Sequence, residues 1–302
     1  MLNYIWGIVI GACMSCNTDV PKEQVKTVSS ILTELYSPES DYVMICAHRG
    51  NIGEYPENSI QGLKECISTG IDIIEIDLKE TKDGHIIIMH DDTLGRSTTG
   101  SGRVSELNLS EIKKESLKLG SGEVAPTQKV PTLEEFLSVA KGRILLQIDK
   151  WLPVKDKALR ILEDNDCLGQ SIFRGTYSSG KVKSLFGEYL EKIIYIPVIV
   201  TSRKGSMDKL EDYTTHLKTP AISFIFNQEK DTVLNEVIRL KKKYRIWYNA
   251  ILQNDSCAGH GDITADKSLS DSYGWLVRKG GNIIFTDKAL LLDAYLRENR
   301  WR

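Results

Sequence analysis

The chain lacks the features that mark several large classes of protein. Its 39 Lys and Arg residues nearly balance 41 Asp and Glu residues, and no long basic stretch predicts a nucleic-acid-binding surface. The apolar run at residues 4–10 is too short to span a bilayer. With nucleic acid disfavoured, we expect the binding partner to be a small molecule, and the sequence indicates no obligate protein partner. Apart from two cysteines near the amino terminus, the chain has four, and they are widely separated. Their spacing is neither that of a zinc site nor that of a disulfide framework, so we expect buried free thiols at Cys46, Cys66, Cys167 and Cys257.

The first sixteen residues, MLNYIWGIVIGACMSC, contain no charged side chain. They are typical of a secretory leader rather than of a membrane helix. Ala12 before Cys13 and Ser15 before Cys16 resemble the processing site of a bacterial lipoprotein, and Cys16 is favoured because polar residues follow it. We therefore expect residues 1–16 to direct secretion, and a lipid anchor to hold the protein in the bacterial cell envelope, at the periplasm or the outer membrane. The alternatives are an apolar helix packed on the domain or the apolar start of a cytoplasmic protein.

From residue 42 onward, strand-like apolar runs alternate with segments of helical periodicity. This pattern predicts one closed, parallel α/β barrel over residues 42–302, preceded by a tether and an N-terminal helix at residues 17–41. A doubly wound open sheet is the alternative. The predicted barrel strands are residues 42–47, 71–78, 143–148, 171–174, 192–198, 221–226, 244–249 and 282–285, and the clearest predicted helices are residues 132–140, 154–165, 178–186, 232–243 and 288–298.

Two long segments interrupt this alternation. Lys82-Asp83-Gly84 predicts a hairpin turn between the strand at 71–78 and a further strand at 85–89. The polar, glycine-rich residues 91–131 then predict a small insertion after the second barrel strand, with one helix at 109–119. Residues 252–272 predict a second insertion, after the seventh strand. Since both follow strand ends, we expect them to cover the catalytic face of the barrel.

Carboxylates at two predicted strands indicate a cation site. Glu75 and Asp77 are two residues apart, so they point to the same side of their strand. Paired carboxylates that face an interior need a counter-charge, and a divalent cation with oxygen ligands supplies it. Asp149, at the end of another strand, is a candidate third ligand, and Lys150 beside it is a candidate contact for an anionic oxygen. The alternatives are a solvated strand face and a helix N-cap at Asp149.

Histidines follow two apolar strands. His48 precedes Arg49 after the first strand, and His90 follows the hairpin strand. Two histidines at strand ends, with an arginine and acids nearby, indicate acid and base partners around an anion. Arg49 has the planar donor geometry that suits a phosphate. Phosphodiester cleavage requires this combination: a base and an acid to move protons, and an arginine and a divalent cation to neutralise developing negative charge.

The motifs taken together resemble the glycerophosphodiester phosphodiesterase family from about residue 43 to residue 298. The resemblance is carried by His48-Arg49-Gly50, Pro56-Glu57-Asn58-Ser59, Ile74-Glu75-Ile76-Asp77-Leu78, Thr81-Lys82-Asp83-Gly84, His90-Asp91, Val130-Pro131-Thr132-Leu133-Glu134-Glu135, Trp247-Tyr248-Asn249 and Ile283-Ile284-Phe285-Thr286-Asp287. It implies a TIM (β/α)8 barrel that uses a divalent cation, Mg²⁺ or Ca²⁺, to cleave glycerophosphodiesters to glycerol 3-phosphate and an alcohol.

The same resemblance implies roles for individual residues. His48 and His90 would be the acid and base, Arg49 a phosphate contact, and Glu75 and Asp77 metal ligands. Glu57 and Asn58 would support the site, and Trp247 would be an aromatic wall near the glycerol unless it is a core residue. In related members the glycerol hydroxyl next to the phosphate can attack phosphorus, giving a cyclic phosphate that water then opens.

The third strand departs from the family pattern. Many members carry Glu-Ile-Lys there, whereas this chain has Gln147-Ile148-Asp149-Lys150. If Asp149 replaces the glutamate, the cation site is intact. Lys150 then follows the ligand by one residue instead of two, so its side chain points away from the site unless the strand bulges there. If Gln147 aligns instead, the site has lost a charge. We favour Asp149, because ligands belong at the strand's end.

Two other functions remain as alternatives. One is a phospholipase-like or phosphoinositide phosphodiesterase on the same barrel, although no lysine-rich amphipathic helix appears near the insertions. The other is a non-catalytic barrel that binds sugar phosphates, which would require the motif residues to be lost.

Overall fold

The computed structural model describes residues 26–50, 55–251 and 257–302, apart from the side chain of Val233. The predicted leader at 1–16, with Cys13 and Cys16, and the tether as far as residue 25 lie outside the described residues. In the described part of the chain, no helix combines the length and the apolar character needed to cross a membrane.

Eight parallel strands form a closed barrel. Their order around the sheet is β1, β11, β10, β9, β8, β7, β6 and β2, and pairing between β2 and β1 closes the ring. The barrel strands are β1 (Met44–Ala47), β2 (Ile73–Glu80), β6 (Leu145–Asp149), β7 (Ser171–Gly175), β8 (Ile194–Val200), β9 (Ala221–Ile225), β10 (Arg245–Asn249) and β11 (Ile283–Thr286). The predicted TIM barrel is therefore confirmed, and the open sheet is excluded.

Helices surround the barrel, and several begin at side-chain caps that the sequence provides. Ser59, Thr132 and Ser178 each accept a hydrogen bond from the backbone of the first helical turn, which satisfies donors that would otherwise lack a partner. The α-helices are α1 (Val28–Leu35), α2 (Ile60–Ser68), α3 (Leu109–Ile112), α4 (Leu133–Ala140), α5 (Lys155–Asp164), α6 (Ser179–Phe186), α7 (Ser206–His216), α8 (Val237–Leu240), α9 (Asp262–Ala265), α10 (Trp275–Arg278) and α11 (Ala289–Glu298).

The alternation of side chains along each strand produces two hydrophobic layers. Ile74, Ile76 and Leu78 of β2 pack outward in the layer between barrel and helices. Ile73 instead joins the cluster inside the barrel, where its neighbours include Leu145 and Ile172. Polar residues that share the interior parity therefore face the barrel axis.

Helix α1 covers the amino-terminal end of the barrel. Its Ile31 and Leu35 belong to the interior cluster. At the same end, buried Asp72 accepts hydrogen bonds from Lys26 Nζ at 2.8 Å and from the backbone N–H of Ile45 at 2.9 Å, and it pairs with Arg302. The opposite, carboxyl-terminal end is left open for a site.

The first predicted insertion has a small core of its own. Strand β3 (Ile86–Ile88) pairs antiparallel with the end of β2, as the hairpin turn predicts. The predicted helix at 109–119 is wrong in length: α3 ends at Ile112, and a short hairpin of β4 (Leu117–Lys118) and β5 (Val124–Ala125) follows. Burial of Leu117 in the insertion core stabilises the hairpin in place of a longer helix.

Two segments near the carboxyl terminus are less regular than predicted. The helix predicted at 232–243 is instead a 3₁₀ segment, Thr232–Glu236, followed by the single α-helical turn of α8. Within the predicted second insertion, the described residues form short helical turns that include α9. Residues 252–256 of that insertion lie outside the described part of the chain.

Candidate functional site

Three carboxylates converge at the open end of the barrel. In the register of β2 and β6, Asp77 lies opposite Asp149, and Glu75 lies opposite Gln147. One oxygen from each of Glu75, Asp77 and Asp149 lies within 4.8 Å of the others, with the first two side chains buried and the third exposed. The structure therefore brings together the three predicted ligands, although their role as ligands stays a prediction.

The charge balance of this acid cluster fits a divalent cation. Burial, with the nearby charges of Asp77 and Asp149, raises the pKa of Glu75 well above its usual range. Burial likewise raises the pKa of Asp77. Among the described residues, the ion-pair contacts of the cluster are Arg49 Nε to Asp77 at 3.5 Å and His48 Nε2 to Glu75 at 4.0 Å. Three carboxylates with so little counter-charge form a possible metal-binding site of the hard-oxygen type.

The neighbours of Asp149 bear on the choice of third ligand. Gln147 is buried inside the barrel, one interior step deeper than Asp149. Lys150 adopts a left-handed backbone conformation with φ of 52° immediately after the strand. It is partly exposed, and its charge helps to lower the pKa of Asp92, after the contribution of Lys79. Lys150 thus lies in a sharp turn of the chain, and its predicted contact with substrate stays a prediction.

A strained turn after β1 positions two groups of the site. Arg49 and Gly50 have φ of 53° and 59°, in the left-handed region that favours glycine. A Cβ on Gly50 would lie 2.6 Å from Cδ1 of Ile74, so both the backbone conformation and the available space favour glycine there. The turn directs the backbone N–H of Arg49 to Glu75 Oε2 at 2.8 Å.

Asn58 forms hydrogen bonds both to the turn after β1 and to the acid cluster. Its backbone N–H donates to the carbonyl of Arg49 at 2.7 Å. Its side-chain Nδ2 donates to Asp77 Oδ2 at 3.0 Å, and the residue is almost fully buried. Asn58 therefore orients Asp77, in line with its predicted supporting role.

A chain of charged groups links Arg49 to His90. Arg49 Nη1 contacts Glu57 at 3.2 Å, and Arg96 binds the same carboxylate with two hydrogen bonds. Arg96 Nε also donates to Asp91 at 2.6 Å, and Asp91 accepts from Nδ1 of His90 at 2.6 Å. Burial alone would raise the pKa of Glu57, but Arg96 and Arg49 hold it below its ordinary value. The hydrogen bond from Arg96 is the main cause of the lowered pKa of Asp91.

His48 is oriented by an aspartate from the far end of the chain. Its Nδ1 lies 2.6 Å from Asp287 Oδ1, which follows β11. Asp262, at the start of α9, accepts from the backbone N–H of Asp287 at 2.7 Å and from Thr286 Oγ1 at 2.6 Å. Both histidines therefore use Nδ1 to bind an aspartate, which leaves each Nε2 available.

Trp247 lies deeper than the predicted aromatic wall. Its side chain is fully buried in the barrel interior, which favours the core alternative. The guanidinium of Arg174, from the end of β7, covers the ring at 4.3 Å from its centroid.

Sequence reasoning assigned no role to four residues of this site. Asp91 and Asp287 were present in the motifs but had no visible partner. The sequence offers one signal for each arginine: Arg96 is a charged residue in the first insertion, and Arg174 is a charged residue at the carboxyl end of an apolar strand.

Comparison with known proteins finds a family model that matches part of the chain. Residues 48–174 match the model of the glycerophosphoryl diester phosphodiesterase family. The match spans less than half of the chain, so it shows that this segment is similar to the family. A second model, described as a domain of unknown function, matches residues 195–296. The family match thus includes every residue of the acid cluster and both histidines.

Curated relatives match about a third of the chain. The glycerophosphodiester phosphodiesterase of Caldanaerobacter subterraneus is 41% identical over 96 residues, which are 32% of this chain and 40% of the relative. That of Bacillus subtilis is 40% identical over 111 residues, which are 34% of this chain and 37% of the relative. The chain therefore spans less than half the length of these curated relatives.

Solved structures extend the similarity of fold to nearly the whole chain. A glycerophosphoryl diester phosphodiesterase from Parabacteroides distasonis has a TM-score of 0.74 at 22% identity, covering 91% of this chain and 93% of its own. A phosphodiesterase from Oleispira antarctica, solved with the product sn-glycerol-3-phosphate, has a TM-score of 0.60 at 20% identity, covering 84% of this chain and 96% of its own.

Proposed function

We propose that this protein hydrolyses glycerophosphodiesters to glycerol 3-phosphate and an alcohol. The observation that carries the proposal is the geometry at the open end of the barrel. Two histidines are each held at Nδ1 by an aspartate. His48 Nε2 lies 4.0 Å from Glu75, and His90 is close enough to the three-carboxylate cluster for its charge to act against the rise that burial causes in the pKa of Asp77. A phosphate diester needs a proton acceptor for its nucleophile and a proton donor for its leaving group, and these two imidazoles supply both.

His48 and His90 act as the proton-transferring pair through Nε2. One neutral imidazole takes the proton from the attacking hydroxyl, which belongs to water or to the adjacent glycerol hydroxyl. As the new P–O bond forms, the bond to the alcohol breaks, and the other imidazole, protonated, gives its proton to the departing oxygen. If a cyclic phosphate forms, water opens it with the roles reversed. Asp287 and Asp91 keep the Nδ1–H bound and stabilise the imidazolium form.

Glu75, Asp77 and Asp149 are the residues that would hold a divalent cation. When bound there, the cation supplies a positive charge that offsets the charge developing on the phosphoryl oxygens. Asn58 keeps Asp77 in place for this role, and the backbone N–H of Arg49 does the same for Glu75. The hard-oxygen donor set suits Mg²⁺ or Ca²⁺.

A panel of diesters tests the proposal. Glycerophosphocholine, glycerophosphoethanolamine, diglycerol phosphate and glycerophosphoinositol are incubated with Mg²⁺ or with Ca²⁺, and glycerol 3-phosphate is measured enzymatically. We expect release from at least one diester, loss of release after exhaustive chelation, and recovery on adding a cation back. Turnover that survives chelation contradicts the cation requirement, and no turnover of any diester contradicts the proposed reaction.

We also propose that residues 1–16 form a leader and that Cys16 carries a lipid anchor in the cell envelope. The proposal rests on the sequence around Cys16. Labelling with radioactive palmitate in a bacterial host tests it, with Cys16→Ser and Cys13→Ser compared. We expect label to disappear only in Cys16→Ser. Label retained in Cys16→Ser, or no label on the parental protein, contradicts acylation at Cys16.

A further inference from the structure

Arg174 places a guanidinium inside the barrel, close to the open end. It follows Ile172 by two residues on β7, and Ile172 belongs to the interior cluster, so both side chains face the axis. The guanidinium stacks on Trp247. Its Nη2 donates to Ser223 Oγ at 2.8 Å and to Asn249 Oδ1 at 2.9 Å. Groups from β9 and β10 therefore fix its orientation.

Most of the hydrogen-bonding capacity of Arg174 is unused. Its Nε is buried and has no hydrogen-bond partner. In the described part of the chain, Nη1 likewise has no acceptor, and no carboxylate forms an ion pair with this guanidinium. Burial lowers the pKa of Arg174 to about 10, so the side chain stays charged at neutral pH. An enclosed charge with spare donors is costly unless a ligand supplies the missing acceptor.

The other candidate cations of the site are differently placed. Arg49 is paired with Glu57 through Nη1, and its Nε, although it has no hydrogen-bond partner, lies 3.5 Å from a carboxylate oxygen of Asp77. Lys150 is partly exposed and lies in the turn after β6. Of these three cations, Arg174 is therefore the one that is held in position by hydrogen bonds and has no carboxylate partner among the described residues.

We propose that Arg174 is a substrate-contacting residue, which binds the phosphate group of the substrate through Nε–H and Nη1–H. This inference rests on the proposed phosphodiesterase function. The acid cluster on β2 and β6 and the guanidinium from β7 lie on neighbouring strands of the barrel. A phosphate that approaches the acid cluster thus has a fixed arginine beside it, and planar donors match its oxygens.

The test measures binding of inorganic phosphate and of glycerol 3-phosphate by titration calorimetry, at pH 7 with Mg²⁺ present. Arg174→Met and Arg174→Gln are compared with the parental protein and with Arg160→Met. Arg160 is an exposed arginine on α5 whose Nε donates to a backbone carbonyl of its own helix, so this variant is the matched control. We expect affinity for both probes to fall about 10- to 100-fold in the Arg174 variants, as for loss of a hydrogen bond to a charged group, and to stay unchanged in the control.

The outcomes separate this inference from the proposed function. Parental affinity for both probes in a folded Arg174 variant overturns the inference, even if the enzyme hydrolyses diesters. Failure of the parental protein to bind either probe also overturns it. Arg174-dependent phosphate binding without turnover of any diester supports the anion contact and contradicts the proposed reaction. If thermal unfolding shows that Arg174→Met does not fold, Arg174→Gln decides the question, because its amide retains donors for Ser223 and Asn249.

Discussion

Removal of the carboxylate at Asp287 should slow catalysis without weakening substrate binding. Asp287 Oδ1 lies 2.6 Å from Nδ1 of His48, and within the described part of the chain its carboxylate forms no hydrogen bond or ion pair with another predicted site residue. A hydrogen bond to a charged group contributes about 1.5–3 kcal/mol. The Asp287 side chain is 37% exposed, so solvent screening favours the lower half of that range. For Asp287→Ala we therefore expect kcat to fall roughly 10- to 40-fold, at about 1.4 kcal/mol for each factor of ten.

The assay is release of glycerol 3-phosphate from glycerophosphocholine, with kcat and KM determined separately. KM should change little, because Asp287 acts by holding the imidazole. Asp266→Ala is the matched control, since Asp266 is an exposed aspartate that pairs with Lys288 on the same face of the barrel. Parental kcat in Asp287→Ala refutes the orienting role, and an equal loss in Asp266→Ala attributes the effect to general electrostatics.

Three further predictions concern the cation site, the amino-terminal end of the barrel and the strained turn. Asp149→Asn should raise the Mg²⁺ concentration for half-maximal activity by about 10-fold or more, and if Gln147→Ala does so instead, Gln147 is the third position. Asp72→Asn should lower the free energy of unfolding in urea by about 3 kcal/mol at pH 7, because it removes the buried carboxylate shared by Lys26 and Arg302. This is the lower end of the range for a broken buried ion pair, since Arg302 keeps its pair with Asp293. The pKa of Asp72 is lowered by Arg302 and Lys26 against the effect of burial, so its contribution is present above the unfolded pKa of about 3.9 and is lost as the pH falls through the folded value. The difference in unfolding free energy between Asp72→Asn and the parental protein should therefore become smaller below about pH 4. An equal difference at pH 3 and pH 7 would contradict this reasoning. Gly50→Ala should cost about 1–2 kcal/mol of stability for its left-handed backbone and should reduce kcat, whereas parental values for both would show that the turn tolerates a side chain.

The barrel could be predicted from the sequence because its signals are local. Each strand is a short apolar run that ends in polar residues, and the turn at Asp83-Gly84 marks the hairpin by itself. Glu75 and Asp77 could be paired because they share one strand and one parity. The helix predicted at 232–243 was wrong, since helical periodicity does not distinguish a 3₁₀ segment from an α-helix.

The partners within the site could not be predicted, because they come from distant parts of the chain. His48 and Asp287 are separated by 239 positions, and only closure of the barrel brings β11 beside β1. The position of Arg174 over Trp247 depends on side-chain orientation across the barrel interior. Nothing in the sequence of either strand specifies this contact.

The most direct test of the central claim is product release by variants of the two histidines. Phosphorus NMR follows conversion of glycerophosphocholine to glycerol 3-phosphate by the parental protein, His48→Ala and His90→Ala, and it also detects any cyclic phosphate. Circular dichroism and thermal unfolding establish that the variants are folded. We predict that the parental protein forms glycerol 3-phosphate and that each folded variant loses at least about 100-fold in rate. Near-parental turnover in either folded variant would contradict the account.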